Sequence, residues 1–351
     1  MKTGWLIPLV MFGALALLAP CSVSAAYTGN TTTYSIVHLS DTQNLATYYP
    51  TTYDYTFSYL ESKQAQYNIS AIIITGDLVN KWNKKAEWLA YAHAVNQTTI
   101  PLYVIVGNHD SGYGKNYTYY TAYTGNTAKN YVVPVQDFDL VGINYVSKSL
   151  SSKELLTLRN AITNTSHNFT IIATHFYMDR DGSISALGKD IDKQLVVKPT
   201  LVMGGHIHED FVRTGMIGGL PVIEDLTNYQ NGLPGSPVNK NYSAGTLYTV
   251  TARDGDVVKV SSRIIHIFPS QSVDTERVLY DISGPATGIS AQTVPIAGMV
   301  NQTGSVAGTI TGVGAPGCND TLGVCTVPSL NGVSTPENQF WNLLKGIFRM
   351  P

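Results

Sequence analysis

Short runs of apolar, β-branched residues alternate along the chain with longer stretches of helical spacing. Tyr34–Leu39, Ala71–Thr75, Leu102–Val106, Phe169–Ala173 and Thr200–Met203 are mostly apolar and bounded by Gly, Asp or Asn, which predicts buried strands. Between them, Tyr53–Gln66, Trp82–Val95, Ser152–Ile162 and Gly188–Val197 place apolar residues at helical intervals. Ser152, with Glu154 and Leu155 following, marks a helix start. Strand and helix in alternation predict an α/β domain in which helices cover the sheets. Between Tyr131 and Tyr145, and again from Phe211 to Ile267, strand-like runs follow one another closely, so part of the sheet is expected to be antiparallel or mixed.

Both ends of the chain break this alternation. From about Pro269, Gly, Thr, Ser, Val and Pro dominate and charge almost vanishes after Asp281; residues 269–351 read as a linker or a loosely ordered β-rich extension. At its end, Gln339–Met350 gathers Phe340, Leu343, Leu344, Ile347 and Phe348 on one helical face. Such a terminal helix either packs back on its own domain or meets a membrane surface, an envelope layer or a partner. At the other end, Lys2, the apolar stretch Trp5–Ala19 and Val23-Ser24-Ala25 predict a cleaved signal peptide over residues 1–25, although an apolar run of this length is close to what spans a bilayer. Cys21 invites a lipid anchor, but Pro20 in front of it departs from the small residue such a site requires. The domain between these ends is expected to cover residues 27–268.

An exported chain would be secreted or held in the cell envelope. There Cys318 and Cys325, the pair left after the leader is lost, are expected to form a disulfide. Sequons at Asn30, Asn68, Asn96, Asn116, Asn164, Asn168, Asn241, Asn301 and Asn319 agree with export and make glycosylation plausible. Of the 351 residues only 13% are charged, and the formal net charge of -2 becomes more negative when Lys2 leaves. No general attraction to nucleic acid or anionic lipid follows, so no nucleic-acid partner is expected and any affinity for phosphate must be local.

Five segments, each just beyond a predicted strand, carry candidate chemistry: Asp41-Thr42-Gln43, Gly76-Asp77, Gly107-Asn108-His109-Asp110, His175 and Gly205-His206-Ile207-His208. Sites in open α/β sheets lie beyond the carboxyl ends of strands, so all five can converge. Taken singly, Asp41 and Gly76-Asp77 read as turns or caps and His175 as a buried histidine. His206 and His208 alternate on an extended backbone and face one side. Together, Asp41, Gln43, Asp77, Asn108, His175, His206 and His208 form a mixed oxygen and imidazole set, suited to Mn, Fe or Zn. Seven donors exceed the needs of one ion but suit two sharing a carboxylate, ~3.5–4 Å apart. Two divalent cations against two carboxylates and a hydroxide leave a residual positive charge that favours a phosphate anion. His109, beside Asn108 and not needed as a ligand, could protonate the departing group.

This ordered set resembles the calcineurin-like metallophosphoesterases, from about Ser35 to His266. The resemblance implies an α/β/β/α architecture, a metallophosphoesterase-type β-sandwich flanked by helices, with a dinuclear centre at its edge. It implies that Asp41 and His208 hold one ion with Gln43 in a neighbouring ligand position, that Asn108, His175 and His206 hold the other, and that Asp77 bridges. A hydroxide held between the ions would attack the phosphate mono- or diester, with Asn108 and His109 as catalytic residues and His109 as general acid. Asp110 would fix the backbone. Gln43 departs from the family pattern, which has His there; it is expected to ligate more weakly than imidazole or to face substrate. Asn80 reads as a helix cap or a residue orienting water. Phe176, Tyr177, Asp179, Arg180 and Asp181 read as a substrate entrance or a solvated loop, and the tyrosines of Tyr113–Tyr123 as a long surface loop. The remaining histidines, His38, His93, His167 and His266, are expected to be structural or exposed.

Two other readings remain. One is a surface or binding protein that keeps this fold with weakened catalysis, Gln43 being the first sign of decay. The other, a metallo-β-lactamase-like hydrolase, lacks its usual cluster of His and Asp in one short segment. The first predicts little or no bound metal.

Overall fold

The computed structural model describes residues 29–127, 130–144, 150–164, 166–179, 183–194, 200–206 and 241–283, and the backbone alone at 210–217, 220–227 and 325–326. His208, Arg180, Asp181, the leader, Cys318 and the terminal helix lie outside the described residues.

The chain opens with β1 (Thr31–Leu39), α1 (Gln43–Tyr48), α2 (Pro50–Tyr67), β2 (Ile69–Ile74), α3 (Lys85–Val95) and β3 (Leu102–Val104). Then come α4 (Asn108–Ser111), α5 (Thr118–Thr124), β4 (Tyr131–Val135), β5 (Phe138–Ile143), α6 (Ser152–Thr163), β6 (Thr170–Thr174), α7 (Ala186–Asp192) and β7 (Thr200–Met203). Among the described residues all later elements are strands: β8 (Asp210–Ile217), β9 (Leu220–Thr227), β10 (Ser243–Arg253), β11 (Asp256–Phe268), β12 (Ser272–Val273), β13 (Arg277–Asp281) and the two-residue β14 (Cys325–Thr326). One sheet runs β12-β11-β10-β1-β2-β3 with β13 also on β11; the other runs β14-β4-β5-β6-β7-β9-β8. Strands β1, β2 and β3 are mutually parallel, as are β5, β6, β7 and β9. The strands β10, β11 and β4 add antiparallel edges, so both sheets are mixed.

Side-chain alternation turns these sheets into layers. Ile36, Ala71 and Ile73 from the first sheet meet Ile171, Ala173, Leu201 and Met203 from the second in one buried cluster. The intervening residues point outward. Val37, Ile72 and Ile74 pack with Tyr53, Phe57, Trp88 and Tyr91 of α2 and α3. On the far side, Val141, Ile172 and Val202 pack with Leu158 and Ile162 of α6 and Leu187 and Ile191 of α7. The result is helix, sheet, sheet, helix. Burial on both faces explains why the strands read as continuous apolar runs.

Several features differ from expectation. The α3 helix starts at Lys85 rather than Trp82, because the preceding residues bond to side chains of its own first turn instead of continuing the helix. The helix α7 begins at Ala186, two residues early, since the Ser185 hydroxyl caps it by accepting from Gly188 N–H. The tyrosine-rich loop contains α5, and Tyr120 is fully buried there with its hydroxyl donating to the Val104 carbonyl at 3.2 Å. The sheet also continues beyond Pro269. In β13, Tyr280 is buried and its ring packs at a tilt against Phe169, 5.4 Å between centroids.

Candidate metal centre

The carboxyl ends of β1, β2 and β3 and those of β6 and β7 lie at one edge of the sandwich. Asp41, Asp77 and Asn108 follow the first three strands; His175 and His206 follow the other two. Main-chain and side-chain bonds lock these ends together. Asp41 N–H donates to the Gly76 carbonyl at 3.1 Å and Gly205 N–H to the His175 carbonyl at 3.0 Å. Thr75 Oγ1 crosses between the sheets to the Gly204 carbonyl at 3.1 Å.

The backbone at the site is strained. Asp41, Asp77 and His206 adopt φ of 51°, 54° and 76°, a region few side chains other than Gly enter without cost. Hydrogen bonds hold the first and last of these: Asp41 Oδ2 accepts from Ser40 Oγ at 2.5 Å and from His206 N–H at 2.9 Å. Asp77 Oδ1 accepts from His109 N–H at 2.9 Å. Asp110 fixes the neighbouring backbone as expected: Oδ1 accepts from Leu78 and Val79 N–H and Oδ2 from Gly107 N–H. Burial and the Asp77 carboxylate push the Asp110 carboxyl up to about 7, against those N–H bonds that favour the anion.

Asp77, His175 and His206 bring one ligand atom each within 4.8 Å of one another. His175 Nε2 lies 3.4 Å from Asp77 Oδ1 and 3.0 Å from Asn108 Oδ1. His206 Nδ1 lies 2.9 Å from the same Asn108 oxygen. On the opposite side of the His175 ring, Nδ1 is 2.7 Å from the Thr75 carbonyl. A carbonyl can only accept, so Nδ1 carries a proton, and Nε2 is the nitrogen turned toward Asp77 and Asn108. Burial opposes charge on His175, but the Asp77 carboxylate outweighs it and pushes the imidazole up to about 10. The pocket thus holds a strong negative potential for which a proton and a metal cation compete.

Gln43 is 2% exposed. Its Nε2 lies 3.4 Å from Asp77 Oδ2, and its Oε1 is buried without a hydrogen-bond partner. An orphaned carbonyl oxygen beside a carboxylate is costly unless a cation engages it. The donors present therefore fit a metal centre at both the Gln43 and the His175 side of Asp77.

His109 stands at the rim, its side chain one-third exposed, with Nε2 3.9 Å from Asp77 Oδ2. Its Nδ1 donates to the Asn80 carbonyl at 2.8 Å. Asn80 offers its main-chain carbonyl here, and it does not cap α3, whose cap position is Lys84. Phe176 meets His206 edge-on at 4.8 Å, whereas Tyr177 is turned into the core, donating its hydroxyl to Asp192 rather than lining an entrance. Tyr113 is 70% exposed and its ring lies 6.4 Å from that of His109. Of the other histidines, His38 is buried, and His93, His167 and His266 pair with Asp54, Asp139 and Asp274. Sequence reasoning missed Ser40, Thr75 and Glu87. The first two support ligands through one hydroxyl and one carbonyl, and neither role leaves a mark in residue spacing.

A sandwich that gathers carboxylate, amide and imidazole donors at one edge defines a metal-binding α/β/β/α fold. Residues 34–210 match the calcineurin-like phosphoesterase family, and the chain belongs to it. A relative, the uncharacterized protein YvnB of Bacillus subtilis (strain 168), is 25% identical over 233 residues, 58% of this chain, which spans only 18% of YvnB. Among solved structures, the purple acid phosphatase PPD1 from yellow lupin (Lupinus luteus) seeds is similar in fold, with a TM-score of 0.51 at 12% identity. That likeness covers 76% of this chain and 58% of the lupin chain.

Proposed function

We propose that this chain is a metal-dependent phosphoesterase that hydrolyses a small phosphate mono- or diester, with His109 donating a proton to the leaving group. Asp77, Asn108, His175 and His206 would hold one ion, and Asp41, Gln43, Asp77 and His208 the other; Mn, Fe and Zn suit this donor set. The ions would supply Lewis acidity toward the phosphoryl oxygens and the attacking water. Residues of the chain do the rest. Thr75 orients His175, Asp110 fixes the backbone under Asp77, and the Asn80 carbonyl keeps the His109 Nε2 toward the centre. The apolar amino-terminal run supports action outside the cytoplasm.

One observation carries the reading: Asp77 Oδ1, His175 Nε2, Asn108 Oδ1 and His206 Nδ1 converge while His109 Nε2 faces the same carboxylate from the rim. Elemental analysis of the purified protein, paired with a panel of phosphate mono- and diesters assayed with each metal, tests it. Two ions per chain and turnover that disappears in Asp77→Ala and Asn108→Ala are expected. One ion or none, with no ester cleaved, would instead favour the binding protein.

A further inference from the structure

Four consecutive main-chain amides follow Asp77, and all four end on two buried carboxylates. Asp110 Oδ1 takes Leu78 and Val79 N–H at 2.7 and 3.1 Å. Glu87 Oε2 takes Asn80 and Lys81 N–H at 2.9 and 2.8 Å. Glu87 is 3% exposed, and beyond these bonds its other oxygen has only Lys84 Nζ, at 3.6 Å. Burying a carboxylate costs several kcal/mol unless hydrogen bonds compensate, so a Glu kept here needs a task.

The task is visible one atom further on. The peptide that Glu87 grips offers the Asn80 carbonyl, which receives His109 Nδ1–H at 2.8 Å. With Nδ1 so engaged, Nε2 is the nitrogen left to face the centre. The next residue of α3 pins the same segment: Trp88 Nε1 donates to the Trp82 carbonyl at 2.8 Å. The Trp82 indole in turn lies against Gly112, where φ is +59° and an added Cβ would come within 2.4 Å of the indole nitrogen. The first turn of α3 therefore holds residues 80–82, and through them the loop that carries His109, from behind. Without the Glu87 bonds the Asn80 peptide is free to rotate, and its carbonyl no longer dictates which ring nitrogen bears the proton.

We infer that Glu87 is a positioning residue for the leaving-group acid, setting the tautomer and orientation of His109 through the Asn80 peptide. The inference rests on the phosphoesterase reading and predicts a specific kinetic signature. Aryl esters leave without a proton; alkyl esters need one. A well-placed general acid contributes about 10²–10⁴-fold, so misplacing it harms alkyl esters selectively.

The test compares kcat/KM for p-nitrophenyl and methyl phosphate esters, as mono- and diesters, using the full chain reconstituted with Mn or Zn. Glu87→Ala is expected to lose at least about tenfold more on the methyl than on the aryl ester. Glu87→Gln, whose carbonyl oxygen still accepts both amides, should stay close to the unaltered enzyme on both. Equal losses on the two esters, or no loss, overturn the inference. If Glu87→Ala does not accumulate folded, Glu87→Asp, shorter by one methylene, is expected to show the same split. A second readout needs no turnover: nitrogen-15 shifts of His109 in metal-free protein should report the Nδ1–H tautomer, retained in Glu87→Gln and mixed in Glu87→Ala. An unchanged tautomer in Glu87→Ala overturns the role of Glu87. Failure of the unaltered protein on every ester would overturn the phosphoesterase reading alone, with the tautomer still deciding whether Glu87 positions His109.

Discussion

Gly107 shows how little room a single residue has at this centre. A Cβ there would lie 2.2 Å from both the main-chain nitrogen and Oδ1 of Asp77. Backbone cannot move aside as a flexible side chain can, so Gly107→Ala must displace the very carboxylate proposed to bridge the ions. Overpacking of this kind costs about 1–3 kcal/mol, and here the loss falls on ligand geometry too. Denaturant unfolding should show that destabilisation, and calorimetry a metal affinity reduced at both sites; native affinity in Gly107→Ala would place the ions away from Asp77. Gln43 argues in the other direction. Its buried, unpartnered Oε1 is a neutral donor where imidazole would bind a transition metal more tightly. Gln43→His is therefore expected to tighten one of two binding steps by about tenfold, or 1.4 kcal/mol, and leave the other unchanged. No change in either step would mean that position 43 faces substrate.

At the scale of elements, the strands were legible because both faces are buried, so apolar runs without polar alternation marked β1, β2, β6 and β7. The site residues were legible because each sits just past such a run. Asn80 to Lys84 misled for a physical reason: its structure is set by Glu87 and Trp88 from the next turn, not by its own spacing. Likewise α5 hides in a run of Tyr, Thr and Gly, and Tyr120 is buried by tertiary packing rather than by any period. The histidine of β1 carries a prediction of its own. His38 is fully buried; Thr75 Oγ1 gives its proton to Gly204, so it accepts from His38 Nε2–H at 2.8 Å, and His38 Nδ1 has no partner. Burial lowers the imidazole from 6.5 to about 4, with Asp41 opposing. A depressed histidine stabilises the neutral fold above its unfolded pKa, and that stability is lost as pH falls from 6.5 toward 4, by about 3 kcal/mol. His38→Gln keeps a donor to Thr75 but cannot titrate. Urea unfolding of the metal-free proteins at pH 7 and 4.5 should therefore show a shallower acid loss in His38→Gln, and parallel losses would show that His38 does not govern it.

At the scale of the molecule, the centre is a seam between two sheets. Asp41, Asp77 and Asn108 come from the first sheet, His175 and His206 from the second, with an apolar layer between the sheets and polar bonds across it at the site edge. One such bond is His206 N–H to Asp41 Oδ2. Ions held by both sets of donors would clamp that edge shut. Mass action alone stabilises the fold by about 2.7 kcal/mol at a metal concentration one hundred times Kd, roughly 5–10 °C in Tm for a domain of this size. That rise follows from binding anywhere, so it does not locate the ions. Amide exchange does, because local opening at the edge needs the two sheets to part. If the ions join them, adding Mn or Zn should slow exchange together at Asp41 and His109 on the first sheet and at Gly205 and His206 on the second. Asp77→Ala, which removes the shared ligand, should abolish the protection on both sides at once. Protection confined to one sheet would show that the ions sit within it, and the edge would then be a pocket beside the seam instead of the seam itself.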